Sequence, residues 1–145
     1  MSKEIILKIK NSTQHNFLIP KRDMKNHELG VAMDQSDWKG EKNPETQMAG
    51  KEILSGETQE YNLCLKTGHS DPWASFDLVS EKDNTRIKLT PQFDKAGDAS
   101  GEVKNDDKIN STKDYARRNY VDSKYKVTRE LDKDKFNYTY TITEV

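Results

Sequence analysis

The run KFNYTYTITEV at residues 135–145 restricts the fold more than any other stretch of the chain. Phe136, Tyr138, Tyr140 and Ile142 fall on one side of a strict alternation, and Asn137, Thr139, Thr141 and Thr143 fall on the other. A period of two built from aromatic and β-branched residues specifies a half-buried strand, because successive side chains point to opposite faces. The same grammar returns along the chain. Ile5, Leu7 and Ile9 alternate with Glu4, Lys8 and Lys10, with Ile6 as the exception. Tyr61, Leu63 and Leu65 alternate with Asn62, Cys64 and Lys66.

Further blocks extend the pattern. WASFDLV places Phe76 and Leu78 inward, and TRIKLTPQF sets Ile87, Leu89 and Phe93 against Arg86, Lys88 and Thr90. EKDN between them is short enough for a hairpin. Pro91 has no amide hydrogen, so that strand is expected at an edge or broken there. Tyr125, Val127 and Leu131 mark a strand that turns through DKDK into the run at 135–145. Near the start, NSTQHN reads as a turn and Phe17–Ile19 as a short strand closed by Pro20, making a hairpin or an arch with residues 4–10. Residues 21–56 carry Gly30, Gly40, Pro44, Gly50 and Gly56 and read as loops with one or two short strands. Residues 94–123 form a second long polar excursion. No window gives an amphipathic helix of several turns. Short strands separated by turn signals predict one domain, residues 1–145, folded as an all-β, two-sheet antiparallel sandwich.

Composition excludes several classes. Lys and Arg number 24 and Asp and Glu 25, for a formal charge of −1, so no global field draws in nucleic acid. Hydrophobic content is only 32 %. The apolar residues nonetheless sit in compact alternating blocks, which argues against disorder of the whole chain. No segment approaches the roughly 20 apolar residues that a membrane-spanning helix needs. MSKEIILKIKN lacks the long apolar stretch and small-residue cleavage site of a signal peptide, so the chain is expected in the cytoplasm or in inclusions. Cys64 is the only cysteine, which rules out an internal disulfide.

Chemistry-bearing motifs are sparse. His15, His27 and His69 all fall in turns or loops, none at metal-ligand spacing from another His or a Cys. Cys64 sits between Leu63 and Leu65 and reads as a strand residue rather than a nucleophile. DKAGDASGEVKNDDK at residues 94–108 gathers carboxylates near glycines but lacks the order of an EF-hand loop. Its glycines are not followed by Lys-Ser or Lys-Thr, which excludes a Walker loop. N-x-S/T sequons begin at Asn11, Asn110 and Asn137. No catalytic set, cofactor site or metal site emerges, and an enzyme is the least favoured class. YARRNY is more suggestive: Tyr115 and Tyr120 flank Arg117 and Arg118 in a polar loop. Aromatic bodies beside guanidinium forks suit a phospholipid headgroup or a single-stranded nucleic acid. Packing tyrosines and surface arginines would look the same. Trp38 in QSDWKG and Trp73 in SDPWAS stand in loop-like contexts, where either ring equally fits an interface anchor or a cap on the core.

Three places together resemble the aegerolysin family of small β-sandwich proteins. EIILKIKNST resembles its first strand, SFDLV at residues 75–79 its central Phe-Asp-Leu-Val strand, and SKYKVTRELDKDKFNYTYTITEV its final hairpin. The first and last of these, with Asn11 to His15 in NSTQH, are similar to the small subunit of bacterial binary insecticidal toxins. The resemblance implies a sandwich of aegerolysin type, no enzymatic activity, binding to membrane lipid, and pore formation only together with a larger partner protein; an oligomer on the membrane is compatible with it. The tryptophan content is thin beside that of the fungal members, so no individual lipid-binding residue is carried over from them. The contact residues expected from the loops are Trp38, Trp73, Tyr115, Arg117, Arg118 and Tyr120. A lectin-like sandwich that stacks the same aromatics on sugars is one alternative. A module that pairs an edge strand with a partner is the other.

Overall fold

Among the described residues, alternation becomes nine strands in two sheets. The structure, a computed structural model, describes residues 2–23, 25, 30–66, 74–89, 91, 125–132 and 137–144. The strands are β1 (Ser2–Asn11), β2 (Phe17–Leu18), β3 (Val31–Met33), β4 (Glu52–Ile53), β5 (Thr58–Lys66), β6 (Ala74–Ser80), β7 (Arg86–Leu89), β8 (Tyr125–Asp132) and β9 (Asn137–Glu144). The first sheet has the order β5-β1-β9-β8. In the second, β3 and β2 lie end to end along one side of β6, β4 flanks β2, and β7 lines the other side of β6.

One pairing departs from the expected antiparallel sandwich. β1 and β9 run parallel, with Ile6 opposite Asn137 and Asn11 opposite Ile142, while β1–β5 and β8–β9 are antiparallel. Parallel neighbours need a long crossover rather than a tight turn. The rest of the chain between β1 and β9 supplies it. Residues 4–10 and Phe17–Ile19 form an arch and not a hairpin, because β1 and β2 belong to different sheets. β6 and β7 do form the expected hairpin, and Asn84 takes φ 60° in its turn. Among the described residues β7 pairs only with β6.

The core is the set of inward positions that the alternation marks. Ile5, Leu7, Ile9, Tyr61, Leu63, Leu65, Tyr138, Tyr140 and Ile142 of the first sheet are buried, and Phe17, Phe76, Leu78 and Ile87 of the second are buried with them. Phe136 and Phe93 lie outside the described residues. Edge-on ring contacts tie the sheets together: Phe17 to Tyr125 at 5.2 Å and Phe76 to Tyr140 at 6.3 Å. The Ser80 and Tyr125 hydroxyls meet across the gap at 3.2 Å. Each fully buried large aliphatic or aromatic side chain contributes about 1.5–3 kcal/mol of transfer free energy, so this interleaved layer dominates the stability.

One short helix, α1 (Pro44–Met48), interrupts the β pattern. Asn43 caps it, its Oδ1 accepting the Thr46 N–H at 2.7 Å, and Pro44 supplies a φ already suited to the first turn. A 3₁₀ turn at Gln35–Asp37 precedes it. Together they fold residues 35–48 over the end of the core, where Met48 is buried.

Candidate functional site

Of the six residues expected to contact a target, only Trp38 is described, and it is 1 % exposed. The 3₁₀ turn delivers Trp38 to β5, where it forms an antiparallel bridge with Leu65. Lys39 then donates its N–H to the Cys64 carbonyl at 2.9 Å, and the Lys42 carbonyl accepts from Cys64 N–H at 2.9 Å. The segment therefore runs beside β5 as an irregular extra strand. Its ring is a core cap, which corrects the expectation of a loop contact. The polar neighbours in QSDWKG are turn residues, and turn residues say nothing about which way the next side chain points. Trp73, Tyr115, Arg117, Arg118 and Tyr120 lie outside the described residues, as do His27, His69 and the acidic stretch 94–108.

The densest polar cluster was not singled out from the sequence as a unit. It is the arch between β1 and β2. Asn11 is fully buried, and its amide donates to the carbonyls of His15 at 2.7 Å and Ile53 at 3.0 Å. Its Oδ1 accepts the Thr13 N–H at 3.0 Å. The Thr13 hydroxyl lies 2.7 Å from Asn11 Oδ1 and 3.0 Å from the His15 carbonyl, donates to one of them, and accepts the His15 N–H at 3.1 Å. Ser55 closes the far side, donating its hydroxyl to the Thr13 carbonyl at 2.5 Å and its N–H to Asn16 Oδ1 at 2.9 Å. Asn16 in turn accepts from Glu81 N–H through its carbonyl at 2.9 Å. These bonds fasten the end of β1 to the β4–β5 turn and to the end of β6.

His15 and Glu144 stand at the rim of this clamp. His15 Nε2 is 3.1 Å from Glu144 Oε1, the other carboxylate oxygen accepts the Gln14 N–H at 3.2 Å, and the imidazole meets the Tyr125 ring edge-on at 6.3 Å. A histidine oriented by a carboxylate is half of a general-base arrangement. The Thr13 and Ser55 hydroxyls are committed to the loop's own carbonyls and amides, so the cluster acts as a fastening. The same geometry bears on the Asn11 sequon: both donor positions of its amide are used in the interior, so a glycan cannot be accommodated there in the folded state.

Two further charged pairs come together across strands. Arg86 Nη1 binds Asp77 Oδ2 at 2.8 Å on the outer side of the β6–β7 hairpin, where Asp77 is largely buried. Glu52 and Glu81, far apart in sequence, meet because β4 and the end of β6 both flank β2. Burial, then the hydrogen bond to Glu52 and its charge, raises the Glu81 carboxyl above its usual range. Both residues are exposed, so solvent screens the interaction. Cys64 is buried and free, flanked by Lys42 on one side and Glu4 on the other, and Lys42 Nζ reaches Glu4 Oε1 at 3.1 Å.

No protein-family model matches the chain, and no curated protein matches it. Among the described residues no three His, Cys, Asp or Glu side chains are placed to hold a metal ion, and no helix is long and apolar enough to cross a membrane. The outer face of the first sheet is polar and regular. Lys8, Thr139 and Glu130 follow one another across β1, β9 and β8, with Glu60 beyond Lys8 on β5. Lys8 and Glu60 approach to 3.9 Å, an exposed pair worth at most about 1 kcal/mol.

Proposed function

We propose that this chain is a non-enzymatic, aegerolysin-like membrane-binding sandwich that recognises lipid headgroups and acts with a larger pore-forming partner. The observation that carries this reading is where the three resembling segments fall. EIILKIKNST is β1 with its clamp, SFDLV lies within β6, and the closing hairpin is β8 and β9. They are thus the inner strands and closing hairpin of two sheets that share one core. Recognition then falls to Trp73 and the Tyr115–Tyr120 group, whose sequence contexts read as loops, since Tyr138 and Tyr140 of β9 are committed to the interior. Arginine forks hold the phosphate of a headgroup while the tyrosine and tryptophan rings settle at the polar boundary of the bilayer.

Co-sedimentation with liposomes over a panel of headgroups tests the reading. Binding to at least one composition is expected. It should fall at least about tenfold in Trp73→Ala and in the double variant Arg117→Ala/Arg118→Ala, an effect of about 1.4 kcal/mol or more. Trp38→Phe, a change inside the core, should leave the affinity of the folded protein unchanged. Failure to bind any lipid and any target-cell membrane would sink the proposal. Pelleting abolished by free sugar would favour the lectin-like alternative.

A further inference from the structure

The first sheet has two edges, and the chain treats them differently. At β5 the edge is covered by the chain itself, through the Trp38–Leu65 bridge and the two hydrogen bonds linking Lys39 and Lys42 to Cys64. At the other edge, β8 runs for eight residues, and among the described residues it pairs only with β9. A strand in that position presents a row of backbone donors and acceptors to whatever can pair with it.

We propose that the occupant is a second copy of this chain, joined β8 to β8 about a two-fold axis through Thr128. A two-fold axis perpendicular to the sheet makes the strands antiparallel, and their faces match only when the axis passes through a residue. With the axis at Thr128, Lys126 of each copy stands opposite Glu130 of the other, and the two Thr128 side chains meet at the centre. All three positions are on the outer face and exposed. Opposite charges directly across a strand pair attract and like charges repel, so symmetry counts the attraction twice. An axis at Lys126 or at Glu130 would instead set identical charges against each other.

The same test rejects β7, an edge strand of the second sheet. For β7, an axis at Ile87 sets Arg86 opposite Lys88 twice, and an axis at Lys88 sets that lysine against itself. Self-recognition is therefore encoded in β8 and opposed in β7. The result is one continuous eight-stranded sheet across two copies, with both core faces on the same side. It is independent of lipid binding and forms without a membrane.

Sedimentation velocity of the lipid-free protein, from micromolar to near-millimolar concentration, tests this. The unaltered chain is expected to dimerise reversibly. Lys126→Glu and Glu130→Lys should each weaken the dimer at least about tenfold, and the combined Lys126→Glu/Glu130→Lys variant should restore it to within about threefold. Thr128→Lys places a like charge on the axis, should also weaken the dimer, and provides an independent reading if either charge reversal fails to give a folded protein by circular dichroism. A chain that stays monomeric throughout overturns the proposal. So does a dimer indifferent to these changes, or one that the combined reversal fails to rescue.

Discussion

Tyr61 is buried in the core with its hydroxyl lacking a hydrogen-bond partner among the described residues, and burial, helped by the Glu57 charge, raises its ionisation well above the usual tyrosine range. A polar group stranded in this way costs about 1–3 kcal/mol relative to a satisfied one. Tyr61→Phe should therefore raise the unfolding free energy by about 1 kcal/mol in urea titrations. The pH dependence has a definite sign. Above pH ~10 the unfolded chain loses the Tyr61 proton while the folded chain keeps it, so stability falls by about 1.4 kcal/mol per pH unit from this residue. Below that pH its contribution is fully present. Tyr61→Phe should flatten the alkaline limb of the stability curve by that slope, and an unchanged limb would show that the hydroxyl is already hydrated. Asn11 is the opposite case, with every polar atom of its amide used. Asn11→Ala removes the amide that donates to the His15 and Ile53 carbonyls and accepts the Thr13 N–H, and should cost about 2–4 kcal/mol in the same titration. Neither role was legible in the sequence. NSTQHN announces a turn, but which atoms satisfy one another depends on β4 and β6 arriving from distant parts of the chain. Trp38 shows the same limit, since its neighbours looked solvated and its ring is not.

Strands announced themselves well where one face is buried and the other wet. β1, β5, β7, β8 and β9 all follow the period that hydrophobic alternation predicts, and β6 alternates at Phe76 and Leu78 although both of its faces are covered. Elements held by their surroundings did not announce themselves. β3 and β4 are three and two residues long, too short for any period to register. The Asn43–Pro44 pair that opens α1 was the available signal for the helix. Gly30, just ahead of β3, explains why that strand needs its surroundings. It sits at φ +64°, a conformation costly for any residue with a Cβ, and an added methyl would overlap the Pro20 carbonyl oxygen. Its own carbonyl accepts the Asp77 N–H at 2.8 Å, in the gap between β3 and β2 on β6. Gly30→Ala should therefore loosen both β3 and the strand it pairs with. A loss of at least about 2 kcal/mol is expected, with faster amide exchange at Asp77. Exchange at Asp77 that matches the unaltered protein would place the strain elsewhere.

At the scale of the whole molecule, the all-β character and two-sheet arrangement were legible because they follow from counting alternating blocks and turns. The parallel β1–β9 pair was not, because periodicity marks which side of a strand is buried and is silent about its neighbours. That pair also sets how the molecule assembles. β1 rests against β5 on one side and β9 on the other, and among the described residues β8 reaches the sheet only through β9. A chain shortened before β9 should lose its cooperative thermal transition by circular dichroism, and a sharp transition in that variant would mean the two sheets are separable. During synthesis, β1 leaves the ribosome well before β9 and waits for it with one flank bare while all the residues between them are made. Contacts between such distant segments form slowly, and exposed strand flanks invite the wrong partner meanwhile. The charges on Glu4, Lys8 and Lys10 keep that waiting strand out of aggregates until its neighbour arrives.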